Sequence, residues 1–379
     1  MVRDGRPVFQ RGGELMEVPV QTSFALLRSA PIGGGLVARV KDGVLTIGPD
    51  SMGAVPGPAC YGLGGDQATL TDALLCLGYL DPGNFLGGRR ALDLDRARAA
   101  VKARVADPLS LDVGRAALAV RDEAVAHMAE LITATLAEAG LSPSDCALLA
   151  YGGNGPMFGA FVAEQLGIGS VHAFNIGPVF SAFGSAISDV VHVYERGLGQ
   201  SWGEAKAGPL LEAAIKLHEQ AVRDLDAEGF DPAKARFEYA VELGDAATGR
   251  REAAEFDGVP DEGRLKRLID AASATGAADG AVAALVSLIS RFVVGAHGLE
   301  KAATGRGEAR SKARPMLFAG GTPSPLPAML WESMGVGDTL DGPAMINGAT
   351  LTCAVPPGWT TQVDPYGNAR MGRQPSSMG

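Results

Sequence analysis

Cysteine is scarce in this sequence and follows no recognisable ligand pattern. Four cysteines occur in 379 residues, and they are widely spaced at Cys60, Cys76, Cys146 and Cys353. No two of them form a C-x-x-C pair, which argues against a zinc site built from cysteines and against a disulfide-stapled small domain. The spacing predicts buried free thiols in a reducing compartment, and therefore a cytoplasmic protein.

Positive charge is also in deficit. Lys and Arg number 33 against 43 Asp and Glu, which gives a formal net charge of −10. Nucleic acids and anionic membrane surfaces attract basic proteins, so this balance predicts neither as a partner. The first residues, Met1 to Arg6, contain no apolar segment of the secretory type, and no apolar run is long enough to span a bilayer.

Glycine and proline are abundant instead. The chain has 52 Gly and 23 Pro, gathered in short clusters between apolar segments, and 46% of its residues are hydrophobic. Such clusters of glycine and proline between apolar segments are typical of a folded protein with many tight loops. The length allows two or three domains.

The hydrophobic pattern predicts a mixed α/β chain. Asp42-Gly43 between two apolar runs, residues 36–40 and 44–47, predicts a β-hairpin. Apolar residues recur every three or four positions over 116–139, which predicts a long helix that ends at Gly140. Residues 280–294 fit a helix or a strand equally well by periodicity.

A strand–loop–helix alternation begins near residue 145. Strands are predicted at 146–151, 171–174 and 190–194, with a helix at 157–166 after the first strand. This order predicts neighbouring parallel strands joined by right-handed crossovers. The pattern divides the chain into an α/β segment at 1–200, a mixed segment at 201–314 and a small β-rich module at 315–379.

One glycine loop carries the strongest chemical signal. Tyr151 is followed by Gly152-Gly153-Asn154-Gly155-Pro156 and then by the predicted helix. Glycines at the carboxyl end of a parallel strand let backbone N–H groups approach an anion, and a helix N-terminus favours negative charge. The spacing is neither a dinucleotide fingerprint nor a P-loop, and a plain tight turn suits it about as well. A side chain at Gly153 is expected to block a ligand and to disfavour a positive φ.

Two weaker signals accompany this loop. Gly33-Gly34-Gly35 stands beside the predicted hairpin and suits a second phosphate nest. Thr71-Asp72 at the start of a short predicted helix is most simply an N-terminal cap, and it could alternatively hold a magnesium-bound water.

Several stretches in one order resemble the hydantoinase A/oxoprolinase family, which includes ATP-dependent subunits of 5-oxoprolinases, N-methylhydantoin hydrolases and acetone or acetophenone carboxylases. The matching stretches are Gly33–Gly35, Gly48–Ala54, Pro56–Gly62, Thr71–Ala73, Tyr151–Pro156, Ser181–Gly184, Ser188–Tyr194, Gly342–Ala344, Val355–Trp359 and Asp364–Asn368. The resemblance implies an α/β fold with an actin-like ATPase (ribonuclease-H-like) lobe plus the small C-terminal β-rich module. It also implies ATP and Mg²⁺ as cofactors, with Gly33, Gly34, Gly35, Gly152, Gly153, Asn154 and Gly155 facing the nucleotide and Thr71 and Asp72 near the same cleft.

Two family loops of the form Asp-x-Gly-Gly-Thr do not occur in these 379 residues. The chain therefore looks like the C-terminal half of such an enzyme, with an N-terminal-half chain, a hydantoinase B-like subunit, or both, as expected partners and self-association as a further expectation. In such enzymes ATP activates a cyclic amide for hydrolysis or a ketone for carboxylation, and no catalytic residue is assigned here. The alternative is a non-catalytic structural subunit that has lost the phosphate loops.

Overall fold

A computed structural model describes residues 1–3, 5–15, 18–26, 28–201, 206–245, 251–273, 281–294, 301 and 311–374. The chain divides into two compact units, Met1–Ser181 with Leu299–Gly379, and Ala182–Gly298. These are called unit 1 and unit 2 below. The finer division at residues 200 and 314 stays a prediction.

Unit 1 begins with short antiparallel hairpins. Its first strands are β1 (Val2–Arg3), β2 (Arg6–Pro7), β3 (Phe9–Leu15), β4 (Val18–Ala25), β5 (Leu36–Lys41) and β6 (Val44–Ser51). The predicted β5–β6 hairpin is confirmed, and its two loop residues Asp42 and Gly43 have φ of 52° and 77°. Two consecutive positive φ values are the signature of a type I′ turn, which explains the Asp-Gly pair.

Helices form the next part of unit 1. They are α1 (Leu70–Cys76), α2 (Leu94–Val101), α3 (Asp107–Leu109) and α4 (Val113–Glu138). The end of α4 is a Schellman motif, because Gly140 N–H donates to Ala137 O at 3.1 Å and Leu141 N–H donates to Leu136 O at 2.9 Å. The predicted long helix and its Gly140 stop are confirmed. Helices α1 and α4 pack against each other in a core that includes Leu70, Leu74 and Val120.

One βαβ unit follows α4, and its strands are parallel as predicted. Strand β7 (Leu148–Ala150), helix α5 (Gly155–Leu166) and strand β8 (Ser170–Ala173) follow in order, and β7 pairs with β8 in parallel. The next helix, α6 (Phe180–Ile187), leads into strand β9 (Val190–Ser201). The prediction of a third parallel strand here is wrong, because β9 pairs antiparallel with a strand at 281–292 in another sheet.

The C-terminal strands complete unit 1. They are β13 (Ser311–Met316), β14 (Ser324–Leu330), β15 (Thr339–Asp341), β16 (Ala344–Asn347), β17 (Thr352–Val355), β18 (Trp359–Val363) and β19 (Ala369–Arg373). One sheet has the order β13-β14-β16-β17, and another has the order β15-β18-β19-β8-β7. The β-rich C-terminal region predicted from its turns is therefore present, and its last strand pairs antiparallel with β8.

In its described part, unit 2 contains one antiparallel sheet, most of helix α6 and two longer helices. The sheet order is β11-β10-β12-β9, built from β10 (Arg236–Asp245), β11 (Arg251–Asp257) and β12 (Ala281–Phe292) together with β9. Helices α7 (Ala207–Ala227) and α8 (Glu262–Ser273) share a buried apolar cluster with the sheet. Within the ambiguous segment at 280–294, residues 281–292 form a strand, because β12 has a paired neighbour on each side.

Across the residues that the structure describes, no helix combines the length and apolarity needed to cross a membrane.

Candidate functional site

Asp72 fastens the loop after the hairpin to the start of α1. Its carboxylate is 0% exposed and accepts hydrogen bonds from four donors: Ala59 N–H at 3.2 Å, Cys60 N–H at 2.8 Å, Thr69 N–H at 3.0 Å and Thr69 Oγ1–H at 2.7 Å. Thr69 in turn accepts from Asp72 N–H, so the two residues form a capping box. Of the predicted cap at Thr71-Asp72, only Asp72 takes part, because the N-cap is Thr69 and Thr71 lies inside the first turn of α1. Because both carboxylate oxygens are occupied by protein donors, Asp72 acts by positioning the loop.

Thr71 points the other way, toward the first glycine segment. Its backbone N–H and its hydroxyl both donate to the carbonyl oxygen of Gly34, each at 2.9 Å. A Cβ on Gly34 would lie 2.5 Å from Thr71 Oγ1, so a side chain is excluded there. Gly35 is similarly confined by Ser51, whose Oγ would lie 2.8 Å from an added Cβ. These contacts fix the backbone of Gly34 against α1 and place Gly35 beside the end of β6.

The second glycine segment joins β7 to α5. Gly152 has φ of 82° and donates its N–H to Gly177 O at 2.8 Å, which makes it the residue that turns the chain. The expectation of a positive φ at Gly153 is wrong, because that residue lies outside the left-handed region and the turn is made one residue earlier. Gly153 is exposed, and a Cβ there would meet only Thr350 O, at 3.9 Å. The surrounding protein therefore leaves room for a side chain at Gly153.

The two glycine segments lie side by side in unit 1. A Cβ on Gly34 would be 3.7 Å from Asn154 Nδ2, although the two residues are 120 positions apart in the sequence. Asn154 is exposed and occupies the N-cap position of α5, where its side chain makes no capping hydrogen bond. Gly34, Thr71 and Asn154 are thus brought together, whereas the carboxylate of Asp72 is buried behind them.

Asn154 also lines a cavity of about 140 Å³. Its wall comes from three loops of unit 1, with lining residues within 80–86, 153–157 and 347–352. The third loop is held in place by Glu332, whose Oε1 accepts from Ala349 N–H at 3.0 Å, and by the bond from Gly348 N–H to Leu351 O at 2.9 Å. Gly153, Asn154 and the cavity therefore form one continuous surface.

Asn347 is a wall residue that sequence reasoning missed. It is 5% exposed, and its Oδ1 is buried without a hydrogen-bond partner. It ends the fully buried strand β16, where the three preceding residues Ala344, Met345 and Ile346 are apolar. The available signal was a single amide at the end of an apolar strand, directly before Gly348.

The cysteines near α1 are not nucleophiles. Burial and, after it, the Asp72 carboxylate raise the pKa of the Cys76 thiol to about 12. Burial, followed by Asp72, likewise raises the pKa of Cys60 far above its usual value. A thiolate is the reactive form, so both thiols stay protonated and inert at neutral pH.

No metal centre is formed by the part of the chain that the structure describes. No group of three or more His, Cys, Asp or Glu side chains lies close enough there to hold an ion. The carboxylate in the cavity wall, Asp81, accepts from Gly83 N–H at 2.9 Å and pairs with Arg314 at 3.4 Å. Like Asp72, it is already engaged by protein donors.

Comparison with known proteins gives a consistent family match. The family model described as hydantoinase/oxoprolinase matches residues 1–194. The acetophenone carboxylase gamma subunit of Aromatoleum aromaticum is 34% identical over 220 residues, which cover 56% of this chain and 30% of that subunit.

Two solved structures share the fold. A nucleotide-free structure of acetone carboxylase, from a study of ATP-dependent acetone carboxylation, superposes with a TM-score of 0.81 at 22% identity, over 97% of this chain and 56% of that one. The ATP-dependent caprolactamase of Pseudomonas jessenii superposes with a TM-score of 0.75 at 26% identity, over 96% of this chain and 55% of that one. The chain therefore spans less than two thirds of the length of each relative. The expected fold class, an actin-like ATPase type with a β-rich module, is confirmed by these likenesses.

Proposed function

Because the chain belongs to the hydantoinase/oxoprolinase family, we propose that it contributes one side of the nucleotide site of an ATP-dependent enzyme that acts on a cyclic amide or a ketone. The relatives support this kind of activity, since one is an acetophenone carboxylase subunit and another is an ATP-dependent caprolactamase. A non-catalytic structural role for the chain is the alternative outcome of the experiment below.

The observation that carries the proposal is the position of Asn154. It lies beside Gly34 and also lines the cavity. Two segments that resemble the family's nucleotide-facing loops thus meet at one residue, next to a space of ring size. A pair of unrelated tight turns would have no reason to meet in this way.

The residues present fit a nucleotide. The exposed backbone of Gly153 and the N-terminus of the 12-residue helix α5 offer an approach for a negatively charged group. The cavity beside it is partly open, and its wall contains apolar side chains such as Phe85, Met157 and Leu351 together with the Asp81 carboxylate. The same residues do not fit Mg²⁺, because Asp72 and Asp81 are engaged by protein donors. No step is therefore assigned to a metal held by this chain.

The chain's own residues position the site. When bound, ATP supplies a phosphoryl group that activates an amide or enol oxygen. Asp72 ties loop 58–60 to α1, and Thr71 fixes the carbonyl of Gly34, so the backbone around the glycines is ordered before a ligand arrives. Such preorganisation avoids reorganisation during phosphoryl transfer.

Partner chains form part of the proposal. The acetophenone carboxylase relative is described as a subunit. We assign the missing Asp-x-Gly-Gly-Thr phosphate loops to an N-terminal-half chain, and the reacting centre to that chain or to a hydantoinase B-like subunit. ATP would then be bound jointly by this chain and its partner, and Mg²⁺ would be held by the phosphate loops of the partner.

The substitution Gly153→Val tests the proposal. The fold has room for a Cβ at this exposed position, so circular dichroism and the midpoint of urea unfolding should stay as in the wild type. ATP affinity, measured by calorimetry on the protein with its partner chains, should fall at least tenfold because the side chain blocks the approach to the loop. Gly169→Val is the matched control, since Gly169 is also exposed and a Cβ there meets nothing within 4 Å.

Two results would count against the proposal. One is unchanged ATP affinity in a folded Gly153→Val protein. The other is the absence of ATP binding to the wild-type assembly, which would favour the structural-subunit alternative.

A further inference from the structure

Strand β9 forms one edge of the sheet in unit 2 and lacks the usual protection of an edge. Its 12 residues pair one-to-one with Ala281–Phe292 of β12, and no strand lies on its other side among the described residues. Folded proteins protect such edges with short strands, proline, bulges or lysine. β9 is long and regular, and it contains neither Pro nor Lys. The backbone of β9 is therefore free to pair with another strand.

The two faces of β9 differ in chemistry, because side chains alternate between the faces of a strand. Two side chains lie on the side of α7: His192 Nε2 is 3.2 Å from Glu228 Oε2. Tyr194 donates its hydroxyl hydrogen to Asp224 Oδ2 at 2.9 Å. Val193, between them, lies on the other face and is 57% exposed. A strand that pairs with β9 would meet carboxylates on one face and an apolar side chain on the other.

An open groove adjoins this edge. It is lined by residues 191–194 of β9 and by Asp224 and Glu228 at the C-terminal end of α7. The C-terminus of a helix carries partial negative charge, which adds to the charge of the two carboxylates. The groove therefore favours a positively charged side chain on the incoming strand.

β9 itself contains such a side chain. Arg196 is exposed and lies two residues beyond Tyr194, so it is on the side of α7 as well. In an antiparallel pair of two β9 strands centred on Tyr194, Arg196 of one copy lies opposite His192 of the other, and therefore beside Glu228. Centring the pair on Glu195 or on Arg196 instead places two like charges opposite each other, which disfavours those registers.

We propose that two copies of this chain pair through β9, antiparallel and about a twofold axis at Tyr194, to form one eight-stranded sheet from the two four-stranded ones. The ion pair between Arg196 and Glu228 then forms twice, as twofold symmetry requires. Val193 of each copy becomes a diagonal neighbour of Val193 of the other. This inference concerns unit 2 alone and is independent of the proposed nucleotide site.

Sedimentation equilibrium of the full chain tests the pairing. The wild type should be a dimer at tens of micromolar. Arg196→Glu and Glu228→Lys should each weaken the dimer at least about tenfold, because each replaces both ion pairs by repulsion. Both side chains are at the surface, so circular dichroism should show that the variants are folded. Asp226→Lys is the matched control, since Asp226 is exposed near the same end of α7 and does not line the groove. It should keep the affinity within about twofold.

Mixing the two variants tests the register. In a mixed dimer the glutamate introduced at position 196 lies beside the lysine introduced at position 228, and the native pair of Arg196 with Glu228 forms at the other site. Equimolar Arg196→Glu and Glu228→Lys should therefore dimerise with about the wild-type affinity, although neither does so alone. Hydrogen exchange of the β9 amides in the wild type should slow as the protein concentration rises.

Four results would overturn the inference. These are a wild-type chain that stays monomeric at tens of micromolar, a dimer that Arg196→Glu does not weaken, and a lack of recovery when the two variants are mixed. The fourth is slow exchange of the β9 amides only after partner chains are added, which would assign the edge to a strand of a partner.

Discussion

Thr71 donates two hydrogen bonds to a single atom of Gly34, its carbonyl oxygen, and both are 2.9 Å long. One comes from the backbone and the other from the hydroxyl. The same hydroxyl would be 2.5 Å from any Cβ placed on Gly34. The two residues therefore depend on each other: Thr71 supplies the hydrogen-bond donors, and the missing side chain of Gly34 leaves room for the Thr71 hydroxyl.

We expect the effects of Gly34→Ala and Thr71→Ala on stability to be non-additive. Gly34→Ala should lower the free energy of unfolding by about 1–3 kcal/mol through overpacking, and Thr71→Ala by about 1 kcal/mol through the lost hydrogen bond. The double variant should lose less than the sum, because Thr71→Ala removes the oxygen with which the new methyl group collides. Urea unfolding of the four proteins gives the coupling, and strict additivity would show that the two residues do not interact as described.

Asp72 should be a major contributor to the stability of unit 1. Asp72→Ala leaves two backbone N–H groups of loop 58–60 and the cap of α1 without their acceptor, so the free energy of unfolding should fall by about 3 kcal/mol or more. Asp95→Ala is a suitable control, because the Asp95 side chain is 95% exposed and should matter by less than about 1 kcal/mol. Equal unfolding midpoints for the two variants would contradict the role of Asp72 in holding loop 58–60 against α1.

His172 should make folding stability depend on pH. Burial lowers the pKa of His172, and Arg370, its cross-strand partner on β19, lowers it further against an opposing effect of Asp364. The unfolded chain therefore binds a proton at a higher pH than the folded one. The stabilising contribution is present above the unfolded pKa of about 6.5 and is lost as the pH falls below it.

The measurement is urea unfolding at pH 7.5 and at pH 5.5. The wild type should lose more stability between these two values than His172→Gln does. In NMR titrations, Arg370→Gln should raise the pKa of His172. A folded-state pKa at or above 6.5 in the wild type would remove the basis of this prediction.

The isolated chain should not turn over ATP. Phosphoryl transfer needs donors around the β- and γ-phosphates together, and the two Asp-x-Gly-Gly-Thr loops that supply them in the family are not encoded in these residues. Phosphate release by highly purified chain with Mg²⁺ should stay at background and should appear when a chain carrying those loops is added. Substrate-stimulated turnover by the isolated chain would refute this assignment of roles.

Local signals in the sequence predicted the local structure well. Asp42-Gly43 has the φ values that its turn type demands, and Gly140 ends α4 at the predicted residue. These features depend on residues within one turn of each other, so a single sequence contains what is needed. The proximity of the two glycine segments was implied by the family resemblance and by no local pattern.

Long-range pairing could not be predicted in the same way. Strand β9 follows a βαβ unit and was expected to extend its parallel sheet, but its partner is β12, about 90 residues later. Asn347 was missed for a similar reason, because its place in the cavity wall depends on residues within 80–86 and 153–157, which lie far from it in the sequence. The residues next to β9 and to Asn347 in the chain do not indicate which distant segments will lie against them.

The pairing of β19 with β8 has a consequence for how the protein is made. Ala369 lies opposite Ala173 in the ladder, so the sheet that contains β7 and β8 stays open at β8 until the ribosome has reached residues 369–373. Residues 182–298 form a continuous stretch and can fold while the rest is still being synthesised. During that interval β8 presents an unpaired edge, which is a site for aggregation or for a chaperone. A premature stop codon shortly before residue 369 would therefore leave a protein in which β8 has no partner on this edge.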